Sequence, residues 1–276
     1  MTEHFIKTTY ATTNSMTAQP TVPFYQPVAN ELELFDHCWR QQLPLMLKGP
    51  TGCGKSRFVE HMSAKLDLPL VTVACHDDTS AADLLGRWLV RGGDTVWQDG
   101  PVTRAVRQGG ILYLDEIAEA RPDVVVALHP LTDHRRHIHL EAHGEEIQAA
   151  DDFMLVVSFN PGYQRGWKEL KPSTRQRFVA LGFDYPEAEL EAKIILGETG
   201  CELALAKRLV KLAGKLRGLD ELGLAEKAST RLLVDAARLM QSGMPPRAAC
   251  IAAICEPLSD ETDVLEALRE VCSLAF

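Results

Sequence analysis

The sequence predicts an α/β fold on a parallel sheet, followed by a small all-α lid domain, and three observations lead there. Apolar runs of strand length alternate with segments of helical periodicity over the first 185 residues, the pattern of a sheet covered on both faces. One run, Leu45 to Leu47, enters the octapeptide Gly49-Pro50-Thr51-Gly52-Cys53-Gly54-Lys55-Ser56, which has the G-x-x-x-x-G-K-[ST] spacing of a phosphate-binding loop. Beyond Tyr185-Pro186 the period is helical throughout, and a proline there restrains its predecessor and cannot continue a strand ladder.

In chain order, residues 1–22 are rich in Thr, Ser and Asn and predict a disordered N-terminal tail, because they offer too little apolar surface to offset the entropy of ordering. The α/β core is predicted over 23–185. It starts with a helix from Glu31 to Arg40 and the strand before Gly49. Phe58, Val59, Met62 and Leu66 then repeat at helical spacing after the loop, as the motif requires. Further strands are expected from Leu70 to Ala74, Ile111 to Asp115, Phe153 to Ser158 and Phe178 to Phe183. Two insertions read as hairpins: Trp88 to Trp97, turning at Gly92-Gly93, and His137 to Gln148 within an insertion at about 134–148, turning near His143-Gly144. The all-α domain is predicted over 186–276, with helices near Glu187–Glu198, Glu202–Arg217, Thr230–Gln241, Pro246–Ala253 and Glu261–Cys272.

Composition narrows the class. A chain of 276 residues that is 46% hydrophobic can build two cores. It contains no apolar run of roughly 18 residues and no secretory-type stretch at its start, which predicts no membrane insertion and a cytoplasmic location. Cys38, Cys53, Cys75, Cys201, Cys250, Cys255 and Cys272 lack C-x-x-C spacing and read as buried thiols rather than a disulfide or zinc framework. Cys75-His76-Asp77-Asp78 reads as a solvated turn after a strand. His134, His137 and His139 lie in a basic, extended stretch without helix-borne ligand spacing. The net charge of −9 counts against a nucleic-acid motor, although it leaves room for a local basic channel.

The octapeptide predicts a nucleoside triphosphate, ATP with Mg²⁺. Gly49, Gly52 and Gly54 let the backbone N–H groups turn inward, Lys55 reaches the β- and γ-phosphates, and the Ser56 hydroxyl takes one metal position. Pro50, Thr51, Cys53 and the following Arg57 complete the expected nucleotide-binding set. Ile111-Leu112-Tyr113-Leu114-Asp115-Glu116 is an apolar strand ending in two carboxylates. Asp115 is the second candidate metal ligand, and Glu116 the candidate to polarise the attacking water. The alternative is that both acids cap the next helix. Asn160, after the fourth strand, can hydrogen-bond that water or the γ-phosphate.

Ser173-Thr174-Arg175-Gln176-Arg177-Phe178 can present an arginine to a neighbouring subunit's nucleotide. Positions 175 and 177 stand about 200° apart on a helix, so they do not serve one phosphate equally. Arg177 is preferred, with Arg175 as the substitute or a second interface contact. Arg231, in Ser229-Thr230-Arg231, begins a helix that Ser229 or Thr230 can cap. A cation is disfavoured there by the helix dipole, unless it faces phosphate. Two classes of function follow. One is a hydrolytic motor acting on a partner, favoured by Glu116 and the phosphate-directed arginines; the other is a P-loop metabolite kinase with a helical substrate lid.

The order of phosphate loop, Asp-Glu strand, Asn160, R-x-R-F, helical lid and S-T-R resembles AAA+ P-loop NTPases over residues 23 to about 275, and the two insertions resemble those of the MoxR branch. The strings from Gly49 (G-P-T-G-C-G-K-S-R-F-V-E), Val73 (V-A-C-H-D-D), His129 (H-P-L-T-D), Asn160 (N-P-G-Y-Q) and Ser173 (S-T-R-Q-R-F) are similar to the CbbQ/NorQ/NirQ family. The resemblance implies a five-stranded sheet in the order 5-1-4-3-2. It also implies a homo-hexameric ATPase working with a von Willebrand A-domain adaptor, CbbO or NorD type, to remodel a target enzyme. For CbbQ the implied target is Rubisco, freed of inhibitory sugar phosphates. For NorQ and NirQ it is nitric oxide reductase. Overall likeness of the lid favours CbbQ.

Overall fold

The computed structural model describes residues 22–161 and 170–276. Apart from Val22, the expected N-terminal tail lies outside the described residues, as do Gly162, Tyr163 and Gln164 of the string after Asn160.

An extended strap from residue 22 leads into α1 (Glu31–Arg40), which turns Glu31, Phe35 and Cys38 to the interior. β1 (Leu45–Lys48) feeds the phosphate loop and α2 (Lys55–Leu66). β2 (Leu70–Ala74) is followed by α3 (Ala81–Leu85), whose start is fixed by a reciprocal capping box between Ser80 and Asp83. A hairpin, β3 (Gly86–Arg91) and β4 (Asp94–Asp99), precedes α4 (Pro101–Gln108) and β5 (Ile111–Asp115). After α5 (Pro122–Leu128) comes a second hairpin, β6 (His137–Leu140) and β7 (Glu145–Gln148), then β8 (Met154–Phe159), α6 (Pro172–Arg175) and β9 (Val179–Gly182).

The five-stranded sheet runs β2-β5-β8-β1-β9 with parallel pairing throughout. With the hairpin strands left out of the count this is 2-3-4-1-5, the expected order read from the opposite edge. It sets the loops after β1, β5 and β8 side by side at the carboxyl end, where open α/β sheets bind ligands. Period-two alternation divides the core. Leu45, Leu47, Ile111 and Tyr113 pack with Phe35, Phe58 and Met62 on one face, whereas Met46, Leu112 and Leu114 meet Val102, Val106 and Val124 on the other.

The first hairpin is longer than the Trp88–Trp97 pattern predicts, because its ladder runs on to pair Gly86 with Asp99. The second pairs His137 with Gln148, the expected limits of its strands; ahead of it, within the insertion expected from about 134, residues Asp133–Arg136 form a turn, with φ of 47° at Arg136 and its N–H bonded to the Asp133 carbonyl. The hairpins lean on each other. Trp97 stacks on His143 at 4.9 Å, the Trp88 indole donates to the Ala142 carbonyl at 2.9 Å, and Arg107 bridges Asp99 and Glu145.

Beyond Pro186, α7 (Ala188–Thr199), α8 (Leu203–Arg217), α9 (Thr230–Gln241), α10 (Pro246–Cys250) and α11 (Thr262–Ala275) enclose a separate apolar cluster around Leu209, Leu233, Ile254 and Leu268. The α-helix expected through Ala253 gives way at Ile251 to a π turn, Ile251–Cys255. The wider turn buries both Ile254 and Cys255 completely, and Pro257, which cannot donate a helix hydrogen bond, lies two residues beyond it. No helix among the described residues is long and apolar enough to cross a membrane.

Candidate functional site

β1 delivers the octapeptide to the sheet's carboxyl edge. Gly52 and Gly54 adopt φ of 70° and 100°, the left-handed region that costs a side-chain-bearing residue about 1 kcal/mol or more. The turn they allow ends at Lys55, the first residue of α2. The Lys55 ammonium is buried and donates to the carbonyls of Gly49 (2.9 Å) and Pro50 (2.8 Å) and to Asn160 Oδ1 (2.8 Å). Burial lowers its pKa, while Cys53, Asp115 and Glu116 pull the other way.

β5 aims its acids by alternation: Ile111, Tyr113 and Asp115 share one side of the strand. The Tyr113 hydroxyl donates to Asp115 Oδ1 at 2.8 Å, the same oxygen that the Ser158 hydroxyl bonds. Ser56 Oγ lies 3.3 Å from Asp115 Oδ2 and 3.2 Å from the Tyr113 hydroxyl. A hydroxyl beside a carboxylate is a hard-oxygen pair of the kind Mg²⁺ takes together with phosphate and water oxygens. Among the described residues no group of three or more His, Cys, Asp or Glu can hold a metal by itself, so a divalent ion at Ser56 and Asp115 would draw its remaining ligands from nucleotide and solvent. The residues present fit that ion.

Glu116 sits at φ 55°, held by its N–H to Ser158 Oγ at 2.7 Å. It occupies the N-cap position of the next turn without a side-chain cap bond, so the helix-capping alternative is not realised there. The side chain reaches solvent, yet partial enclosure first, then the Asp115 and Glu119 carboxylates, push its pKa up. Asn160 Nδ2 donates to Glu116 Oε1 at 3.3 Å and to Thr51 Oγ1 at 3.4 Å, so one amide touches the phosphate loop, the lysine and the glutamate. This arrangement can bind a polyphosphate, orient a water and accept its proton.

Ser229, rather than Thr230, caps α9, accepting from the Leu232 N–H at 3.4 Å. Arg231 in the first turn lines a cavity of about 610 Å³ together with Thr51 to Arg57, Asp115, Glu116 and Asn160. Gly49 and Pro50 contribute through their carbonyls to Lys55. Arg57 also pairs with Glu60 and Glu198. Cys53 is only partly enclosed, and burial raises its thiol pKa. The same cavity is lined by the strap residues Phe24, Tyr25 and Val28 and the lid residues Ile194 and Val234, apolar side chains of the kind that pack against a flat base.

Two expected residues stand apart from this cavity. Arg175 is exposed, and its side chain has no partner among the described residues; Arg177 is half-buried, with Nη1 3.4 Å from Asp133 Oδ2. Sequence reasoning missed Tyr113, although its position two before Asp115 signals the shared side, and missed Ser158 at the end of an apolar strand. It also missed Glu226, which accepts from Thr51 Oγ1 at 2.8 Å, and the strap, for which the sequence carries no local signal.

Residues 44–178 match the family described as AAA domain (dynein-related subfamily), and residues 191–275 match CbbQ/NirQ/NorQ C-terminal. The denitrification regulatory protein NirQ of Pseudomonas aeruginosa is 59% identical over 252 residues, 91% of this chain and 97% of that one. Protein NorQ of Paracoccus denitrificans is 56% identical, covering 92% of this chain and 94% of its own length. Protein CbbQ of Hydrogenophilus thermoluteolus is 51% identical, with 92% and 95% covered. Among solved structures, a RuvB mutant of Thermotoga maritima superposes with a TM-score of 0.51 at 19% identity, covering 88% of this chain and 69% of that one, a likeness of fold.

Proposed function

Because the chain belongs to the CbbQ/NirQ/NorQ family of AAA+ ATPases, we propose that it works as a homo-hexameric ring that couples ATP hydrolysis to remodelling of a target enzyme through a von Willebrand A-domain adaptor. The observation that carries this reading is the convergence of Lys55, Ser56, Asp115, Glu116, Asn160 and Arg231 on one cavity. The phosphate loop and Lys55 hold the β- and γ-phosphates. Ser56 and Asp115 hold Mg²⁺, which when bound offsets phosphate charge. Glu116 accepts the proton of the attacking water and Asn160 orients that water. A basic carboxylate at this place supports hydrolysis over phosphoryl transfer to a metabolite.

Arg231 contacts the terminal phosphate from the lid. The nucleotide is completed by Arg177 of the adjacent subunit, or Arg175 in its stead, since neither lines the cavity of its own chain. For the target we favour nitric oxide reductase with a NorD-type adaptor: the relatives named NirQ and NorQ are 56–59% identical to this chain, the one named CbbQ 51%. The general likeness of the lid supports the other target. Rubisco with a CbbO-type adaptor is the second reading, supported by the same C-terminal family match.

The test is reconstitution. The chain is co-produced with each adaptor and its target, and the target's activity is measured with the parent or with Glu116→Gln. Gain of nitric oxide reduction only with the parent chain supports the first reading, and recovery of inhibited Rubisco supports the second. Full ATPase activity in a dilute monomer removes the ring.

A further inference from the structure

The lid contains a completely buried carboxylate, Glu191 of α7. It accepts hydrogen bonds from Arg217 Nη1 (2.8 Å), Arg217 Nη2 (2.6 Å) and Thr230 Oγ1 (2.7 Å). Arg217, the last residue of α8, directs its Nε to the Ala228 carbonyl at 2.8 Å and lies 4.4 Å over the ring of Tyr185. The Tyr185 hydroxyl in turn donates to the carbonyl of Thr51 in the phosphate loop at 3.1 Å and lies 3.4 Å from the Lys227 carbonyl. Every branch ends on residues 227–230 or on the loop itself.

An ion pair is an expensive way to join three helices, because sealing a carboxylate from water is unfavourable unless each lone pair is answered. Apolar side chains would pack α7, α8 and α9 together at least as well. What the charges add is direction. Arg217 and Glu191 fix Ala228 and Thr230, the neighbours of Ser229 on either side. Ser229 presses on the phosphate loop so closely that a Cβ on Gly52 would lie 2.6 Å from its hydroxyl. Arg231 follows Thr230, and its side chain lines the cavity from this fixed root.

We propose that Glu191, acting through Arg217 and Thr230, is a positioning residue that sets Arg231 over the phosphate loop, and that Tyr185 ties this setting to Thr51. The proposal rests on Arg231 reading the terminal phosphate, as argued above. Lid and loop are thereby one unit in discriminating triphosphate from diphosphate.

The test measures affinities for ADP and a non-hydrolysable ATP analogue, with melting temperature as control, in the full chain and its variants. Arg231→Ala is expected to lower the preference for triphosphate about tenfold. Thr230→Val and Arg217→Lys should reproduce most of that loss, and Tyr185→Phe, which keeps the ring beneath Arg217, about threefold. Thr230→Val combined with Arg231→Ala should lose no more than Arg231→Ala alone. Variants that weaken both nucleotides equally, keep the preference, or add their losses to that of Arg231→Ala overturn the positioning role. If Arg231→Ala itself keeps the preference, the reading of Arg231 falls and the proposal with it. If only the network variants are silent, Arg231 stands and the positioning role falls.

Discussion

The Lys55 ammonium and the Asn160 side-chain oxygen meet at 2.8 Å across 105 residues of sequence, joining the loop after β1 to the end of β8. The same amide donates to Glu116, so it registers the phosphate-binding cation against the carboxylate. Asn160→Ala is expected to lower kcat about hundredfold, with a much smaller change in KM, in steady-state ATPase assays. Asn160→Asp should instead raise KM, because an anion there holds the lysine in competition with phosphate. Equal losses in both constants for Asn160→Ala would remove the orienting role.

Glu116 gives a pH signature. A base must be ionised, so the acid limb of kcat/KM, which reports the free enzyme, should lie above the usual glutamate range, following the raised pKa, and Glu116→Gln should lower turnover roughly 10²–10⁴-fold while sparing ATP binding. Stability changes in the opposite sense. A carboxyl whose folded pKa is raised contributes stability that is present below its unfolded pKa and is lost as pH rises through the folded one. Glu116→Gln should therefore melt above the parent at neutral pH and level with it in acid, as differential scanning calorimetry can determine.

Arg177→Ala should leave nucleotide binding by one subunit intact and reduce assembly-dependent hydrolysis about 10³-fold. Mixing it with Glu116→Gln subunits is the decisive assay: each lacks a different half of a shared site, so mixed rings should regain activity that neither homogeneous preparation has. If Arg175→Ala shows this behaviour and Arg177→Ala does not, the two roles are exchanged.

Cys53 is the one partly enclosed thiol among six buried ones. Burial raises its pKa, so alkylation should be slow at neutral pH and accelerate as pH rises. Mg-ATP should protect it. Peptide mapping that finds a buried cysteine labelled first, or labelling indifferent to nucleotide, would contradict the placement of the loop.

Much of this site is local in sequence, and that part was legible. Glycines at fixed spacing, carboxylates ending an apolar strand and a serine opening a helix announce themselves within a few residues. The helix limits Glu31–Arg40 and Thr230–Gln241 were likewise written in periodicity. Tyr185 and Thr51 are 134 residues apart, and Arg217 and Glu191 are 26 apart on different helices; no periodicity or capping rule pairs such residues, because their meeting depends on how finished elements pack. The π turn at Ile251 was hidden for a related reason: the sequence is helical there, and only the packing of Ile254 and Cys255 decides how wide the coil is wound.

At Gly52 the loop and the lid are separated by less than the thickness of a methyl group. The clearance between loop and lid is thus written in an atom that is missing. Alanine there would act as a wedge, prising Ser229 and the root of α9 away from the phosphates while leaving every charged group of the site intact. What this position holds is a mechanical tolerance, set by Ser229 rather than by any charge.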